Sequence, residues 1–197
     1  QGEGRDITSG NYGGFSYTGR LDILPLGDFE GKKQDYVLSD INRQSKPKLA
    51  IGLSANLNQG AVRQQGQLGR FIYDSTGSYA ENDLTHLEAD LLYKYKGFSF
   101  LTELAITTSA KNIEGLSRGY NTGSGINAQA GYLFKNNCEL AGRFSTITPD
   151  DVNFSGIKET EEWTICFSRY FVGHKLKIQS DASWIAENDS QETFRVR

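Results

Sequence analysis

The chain has 197 residues, 37% hydrophobic and 23% charged, and a net charge of −3 with acids and bases mixed along its length, so no basic stripe for nucleic acid exists. No four consecutive residues are drawn from the hydrophobic set, which excludes a transmembrane helix of about 20 mostly apolar residues. If a membrane is crossed, strands cross it; the 22 glycines, 10 tyrosines and 11 phenylalanines against 3 prolines fit many strands and turns.

Residues 1–14 are polar, glycine-rich and without period, and read as the end of a loop. The first strand follows, with Phe15, Tyr17, Leu21 and Ile23 on one face, Ser16, Thr18, Arg20 and Asp22 on the other, and Pro25 ending it. A long connection, 25–47, leads to a clean alternation in which Leu49, Ile51, Leu53, Ala55 and Leu57 oppose Ala50, Gly52, Ser54, Asn56 and Asn58. Residues 59–84 are rich in glutamine, glycine and asparagine, with an apolar knot at Phe71, Ile72 and Tyr73; they read as a long surface loop that has the option of folding inward.

The stretch from Leu87 to Ile106 is the strongest signal in the chain. Leu87, Ala89, Leu91, Tyr93 and Tyr95, then after a Lys96-Gly97 turn Phe98, Phe100, Thr102, Leu104 and Ile106, share one face. Glu88, Asp90, Lys94, Lys96, Ser99 and Glu103 take the other. Period two with one apolar and one charged face predicts a β-hairpin.

Residues 107–125 read as a polar loop, Gly123-Ser124-Gly125 included, since that triplet lacks the strand-to-helix context of a nucleotide site. A fifth strand is expected over Ile126–Lys135 and, after an Asn136-Asn137 turn, a sixth carrying Leu140, Gly142 and Phe144. Turn residues make 147–160 a loop. The seventh strand carries Trp163, Ile165, Phe167 and Phe171, with Arg169 as an imperfection. A Gly173-His174 turn leads to Leu176, Ile178, Ala182 and Trp184, and a ninth run spans Thr193–Arg197.

Long and short connections alternate, as in outer-membrane barrels with short periplasmic turns and longer outer loops; the long 25–47 connection is the exception. Tyr93, Tyr95, Phe98, Phe100, Tyr132, Phe134 and Phe171 sit near short turns, where one aromatic girdle belongs, and Trp163 and Trp184 sit at the other end. These features predict an all-β, antiparallel, up-and-down transmembrane β-barrel in a bacterial outer membrane, in contact with its lipid. A soluble β-sandwich with core aromatics is the alternative. Nine strands in this orientation, with no methionine and no leader-like segment, lead to the expectation that residues 1–197 are the C-terminal part of a single larger barrel domain.

Taken in order, the runs GFSYTGRLDILPLGDFEG, KPKLAIGLSANLNQGAVRQQGQLG, LLYKYKGFSF and YFVGHKLKIQSD resemble the phosphate-selective porin O and P family, especially its Bacteroidetes-type members. The resemblance covers nearly the whole chain. It implies the C-terminal half of a 16-stranded barrel, homotrimeric assembly and passage of small anions such as phosphate. Anion selectivity in that family resides in basic residues of the inner wall, and alternation turns Arg20, Lys94, Lys96, Lys135, Arg143, Lys177, Arg195 and Arg197 inward here. Asp22, Glu88, Asp90, Glu103, Glu139 and Asp181 share that wall, a mixture that suits a general aqueous passage better than a single-sign ring.

Other chemistry is weakly supported. His86, Glu88 and Asp90 share a strand face at spacing two, but no second histidine is placed to join them as a metal site. His174 reads as a solvated turn residue. With no G-x-S-x-G elbow and His86 the one available base, enzymatic activity is not expected, nor is a cofactor. Cys138 and Cys166 fall on opposite faces and read as unpaired. Asn153-Phe154-Ser155 and Asn188-Asp189-Ser190 match the glycosylation pattern by chance. The functional expectation is a passive channel for small solutes. Its rival is a non-conducting barrel that docks partner proteins of the cell envelope, with connections 25–47 and 59–84 as the elements that plug the lumen or bind.

Overall fold

A computed structural model describes residues 14–31, 36–66, 68–111, 115–150, 157–188 and 193–196. Their strands are β1 (Ser16–Ile23), β2 (Lys48–Ala61), β3 (Asn82–Tyr95), β4 (Phe98–Ser109), β5 (Gly123–Leu133), β6 (Cys138–Pro149), β7 (Thr160–Val172), β8 (Leu176–Glu187) and β9 (Thr193–Val196). They form one antiparallel sheet of nine strands in sequence order. Among the described residues each strand pairs only with its chain neighbours, which leaves β1 and β9 as edges and the sheet open.

Alternation places the strands well but not their ends. Gly123-Ser124-Gly125 belongs to β5 rather than to a loop, opposite Ile147, Thr148 and Pro149, which extend β6. A ladder continues as long as backbone donors and acceptors face one another, and it needs no apolar residue at its tips. Strand ends also slide steadily in one direction. β4 runs to Ser109 while β5 begins opposite Thr107, and β6 runs to Pro149 while β7 begins opposite Ile147. A constant stagger of this kind accompanies tilted strands in a curling sheet.

Curvature follows from what one loop touches. Ser39, in the β1–β2 connection, accepts a hydrogen bond from Lys94 Nζ of β3 (3.2 Å) and shares a cavity with Tyr170 of β7 and Lys177 of β8. On a flat sheet β3 and β7 stand about 19 Å apart, too far for the side chains of both to reach one residue. The polar face is therefore concave.

At the long-loop end, Ala61, Ile72, Leu84 and Tyr120 form a small core. The single proton of the Tyr120 hydroxyl is shared between the carbonyls of Ala61 (2.9 Å) and Ala80 (2.8 Å), which ties the β4–β5 loop to the end of β2 and to the β2–β3 loop. The apolar knot around Ile72 thus folds onto a neighbouring loop.

Candidate functional site

The concave face is the candidate site, and cross-strand pairs order it. Arg20 on β1 reaches Asp22 (2.8 Å) and, across β2, Asp90 on β3 (2.8 Å). Gly52 stands between Asp22 and Asp90 in the register, and a Cβ there would meet both the guanidinium and the Asp90 carboxylate. The missing side chain is what lets the pair close over β2. Arg143 on β6 similarly meets Glu162 on β7 (2.6 Å). Glu88 and Glu103 meet neutral donors, the Ser54 hydroxyl (3.1 Å) and the Asn127 amide (2.8 Å). Asp90 and Glu103 face each other directly in the register, a like-charge opposition that costs stability and that the Arg20 bridge offsets.

Across the short-turn end of this face lie residues 29–31 and 36–45, together here called the strap. Asp40 is fully buried and accepts from the backbone N–H groups of Gln44 (3.1 Å) and Gly97 (2.8 Å), the latter in the β3–β4 turn. Gly97 needs its φ of 92° for that turn, and Leu133 N–H donates to its carbonyl (2.8 Å). Gln44, also buried, exchanges two hydrogen bonds with the Glu30 backbone, and its carbonyl accepts from Lys96 N–H (3.0 Å). Arg43 donates to the carbonyls of Leu133 (2.7 Å) and Phe134 at the end of β5. The Glu30 carboxylate, held by the Ser45 hydroxyl and amide, lies below its ordinary range.

The strap decides the environment of Lys94, which is fully buried, donates to the Ser39 carbonyl and stands 5.7 Å above the Phe29 ring. Lys177 remains on the concave face, donating to Gln179 (2.8 Å). Arg195 lies on β9 opposite Ser183. Alternation would turn Lys96 and Lys135 to the wall, but both fall in tight turns. Lys96 has φ 49° and places Nζ 5.0 Å over the outward Tyr95 ring, while Lys135 is exposed in the β5–β6 turn. Chain reversal breaks the period at those positions. Arg197 and residues 151–156 lie outside the described residues.

The convex face is apolar and uncovered by any described residue: Leu21, Leu53, Trp163, Ile165, Phe167 and Ile178 are 47–65% exposed. Tyr95, Phe98 and Tyr132 share one register row there, and Tyr93 and Phe100 the next. Phe134 packs edge-on against Tyr132 with centroids 5.1 Å apart, and Phe171 is exposed near the β7–β8 turn. A second row runs Phe144, Trp163, Trp184, Phe194 across β6–β9. Phe144 and Phe194 extend the tryptophan pair, a continuity that pairing register reveals and strand alternation alone does not. Arg169, on this same face, donates to the Asn136 carbonyl and to Cys138 Sγ (3.2 Å), so the charge caps a turn.

His86 Nδ1 lies 2.9 Å from Thr107 Oγ1, and among the described residues no group of three or more His, Cys, Asp or Glu side chains is placed to hold a metal. His174 packs edge-on against Tyr170, with centroids 5.6 Å apart, as well as lying in its turn. Cys138 and Cys166 are free thiols. Comparison with known proteins finds no matching family model, no matching curated protein and no matching solved structure.

Proposed function

We propose that this chain builds part of the wall of a transmembrane β-barrel in a bacterial outer membrane, and that the barrel passes small solutes passively. The observation that carries the reading is the division of one curved sheet into a convex face of exposed large apolar residues and a concave face of charges and amides. Water penalises so large an apolar surface; lipid does not. The two aromatic rows supply girdles, and the steady stagger supplies the strand tilt that a barrel requires. A bilayer leaves no strand edge unpaired, so on this reading other strands of the same wall close on β1 and β9. The porin-like trimer is part of the proposal, and crosslinking of inserted protein tests it.

The charges argue against a strong preference for phosphate. Arg20 and Arg143 are committed to carboxylates, Lys94 is under the strap, and among the described residues Glu88 and Glu103 are met by the neutral Ser54 and Asn127 and by no cation. Rings of one sign select ions, and the described residues of this wall form none that is basic. Single-channel recording of the protein in a planar bilayer, with reversal potential under a salt gradient, tests both parts. Stable conductance steps with weak or cationic preference are expected; strong anion selectivity would overturn the charge reading.

A second reading, a closed barrel that docks envelope proteins, draws on the strap, which occupies one mouth of the concave face through buried hydrogen bonds. Electrical silence from protein shown to be inserted would favour it over conduction.

A further inference from the structure

We infer that the cavity between the strap and β5–β8 is a selection site for small, uncharged, hydroxyl-rich solutes of mono- to disaccharide size, taking from the channel reading only the route by which a solute arrives. The cavity has a volume of about 410 Å³, within the range of about 300–1,000 Å³ typical of small-molecule sites. Its two sides differ in character. Val37 and Leu38, followed by Ser39, line it from the strap, whereas the opposite wall carries amides and hydroxyls, among them Gln129, Gln179 and Ser183, beside the small Ala141. A pyranose has the same division, with C–H faces and a rim of hydroxyls, whereas inorganic phosphate has no apolar face to place against Val37 and Leu38.

Charge points the same way. Glu139 and Asp181 line the cavity against Arg143 and Lys177, so its formal charge is balanced. Glu139 is engaged by the Tyr170 hydroxyl (2.6 Å) and Arg143 by Glu162 (2.6 Å). Asp181 makes no ion pair among the described residues, and Lys177 spends one donor on Gln179 (2.8 Å). An acceptor and a donor of opposite sign therefore flank Gln179 on one strand. Hydroxyl groups satisfy both, since each donates and accepts, while an anion is repelled by Asp181 and attracted by Lys177.

The test uses the protein inserted in planar bilayers, with maltose and inorganic phosphate as probes, and calorimetric titration of maltose into the detergent-folded protein. Maltose is expected to interrupt the current in a concentration-dependent way, and phosphate at equal concentration is not. Asp181→Asn, nearly isosteric on a solvated wall, should weaken maltose block about tenfold, the loss typical of a hydrogen bond to a charged group, with block read as a fraction of the variant's own open-channel current. Gln179→Ala should weaken it in the same direction. Conductance with neither block nor calorimetric binding overturns the site and leaves the channel standing. Binding that Asp181→Asn weakens, in a protein that conducts nothing, keeps the site and removes the channel. Phosphate block stronger than maltose block also overturns the inference.

Discussion

Asp40 shows how a single side chain can set the state of the concave face. A carboxyl group out of water survives only where donors converge on it, and the N–H groups of Gln44 and Gly97 do so, one from the strap and one from the β3–β4 turn. Replacing it by alanine leaves both donors buried without an acceptor, at a cost of about 2–3 kcal/mol to strap docking. Strand pairing does not pass through Asp40, so the loss stays local. Hydrogen exchange of the Asp40→Ala protein should show faster exchange at Gly97 and Gln44, with β6–β8 unchanged; exchange that rises uniformly would mean that the strap is part of the global folding unit. The same reasoning explains Lys94, whose ammonium is acceptable in the interior because Ser39 offers a carbonyl and Phe29 a ring face.

Strands and loops differ in how much of them the sequence discloses. Period-two alternation located all nine strands, because half-buried β residues must alternate whatever covers the apolar side. Their ends were less legible, since backbone ladders outlast the apolar pattern at Gly123–Gly125 and Ile147–Pro149. The strap was legible only as an anomalous length, 25–47. Its docking depends on turn carbonyls and buried polar side chains, which leave no period. Of the wall charges, Arg20 and Arg143 were legible by parity, whereas Lys96 and Lys135 were lost to turn geometry. The second aromatic row gives a direct test of which solvent the convex face meets, because Trp163 and Trp184 are the chain's two tryptophans and pair across β7–β8 within that row. In bilayers their emission should be blue-shifted and strongly quenched by brominated lipid, and acrylamide should quench it little. Efficient acrylamide quenching in a detergent-free soluble protein would return the chain to the sandwich reading.

For the molecule as a whole, the deciding quantity is the free energy of putting a charge on each side of the sheet. Leu53 is 47% exposed on the convex face, between Leu21 and Ala89 in the register. If water bathes that face, Leu53→Arg changes an exposed side chain and should shift stability by no more than about 0.5 kcal/mol. If lipid bathes it, the same substitution near mid-span should cost about 2–4 kcal/mol. Its neighbour Ser54 points to the concave face beside Glu88, so Ser54→Arg should be close to neutral under either reading and serves as the control. Reversible urea unfolding from lipid vesicles, comparing the two variants with the parent, measures the difference. The test is sharper than hydropathy because it compares adjacent positions on one strand and reads opposite faces of the same sheet. A large penalty at 53 with none at 54 requires an apolar medium outside and a wet one inside, the arrangement on which both the channel and the docking readings depend. Equal small effects at both positions would leave the concave cavity intact but place it on a soluble protein, where the strap would be the wall of a binding cleft instead of a barrier in a pore.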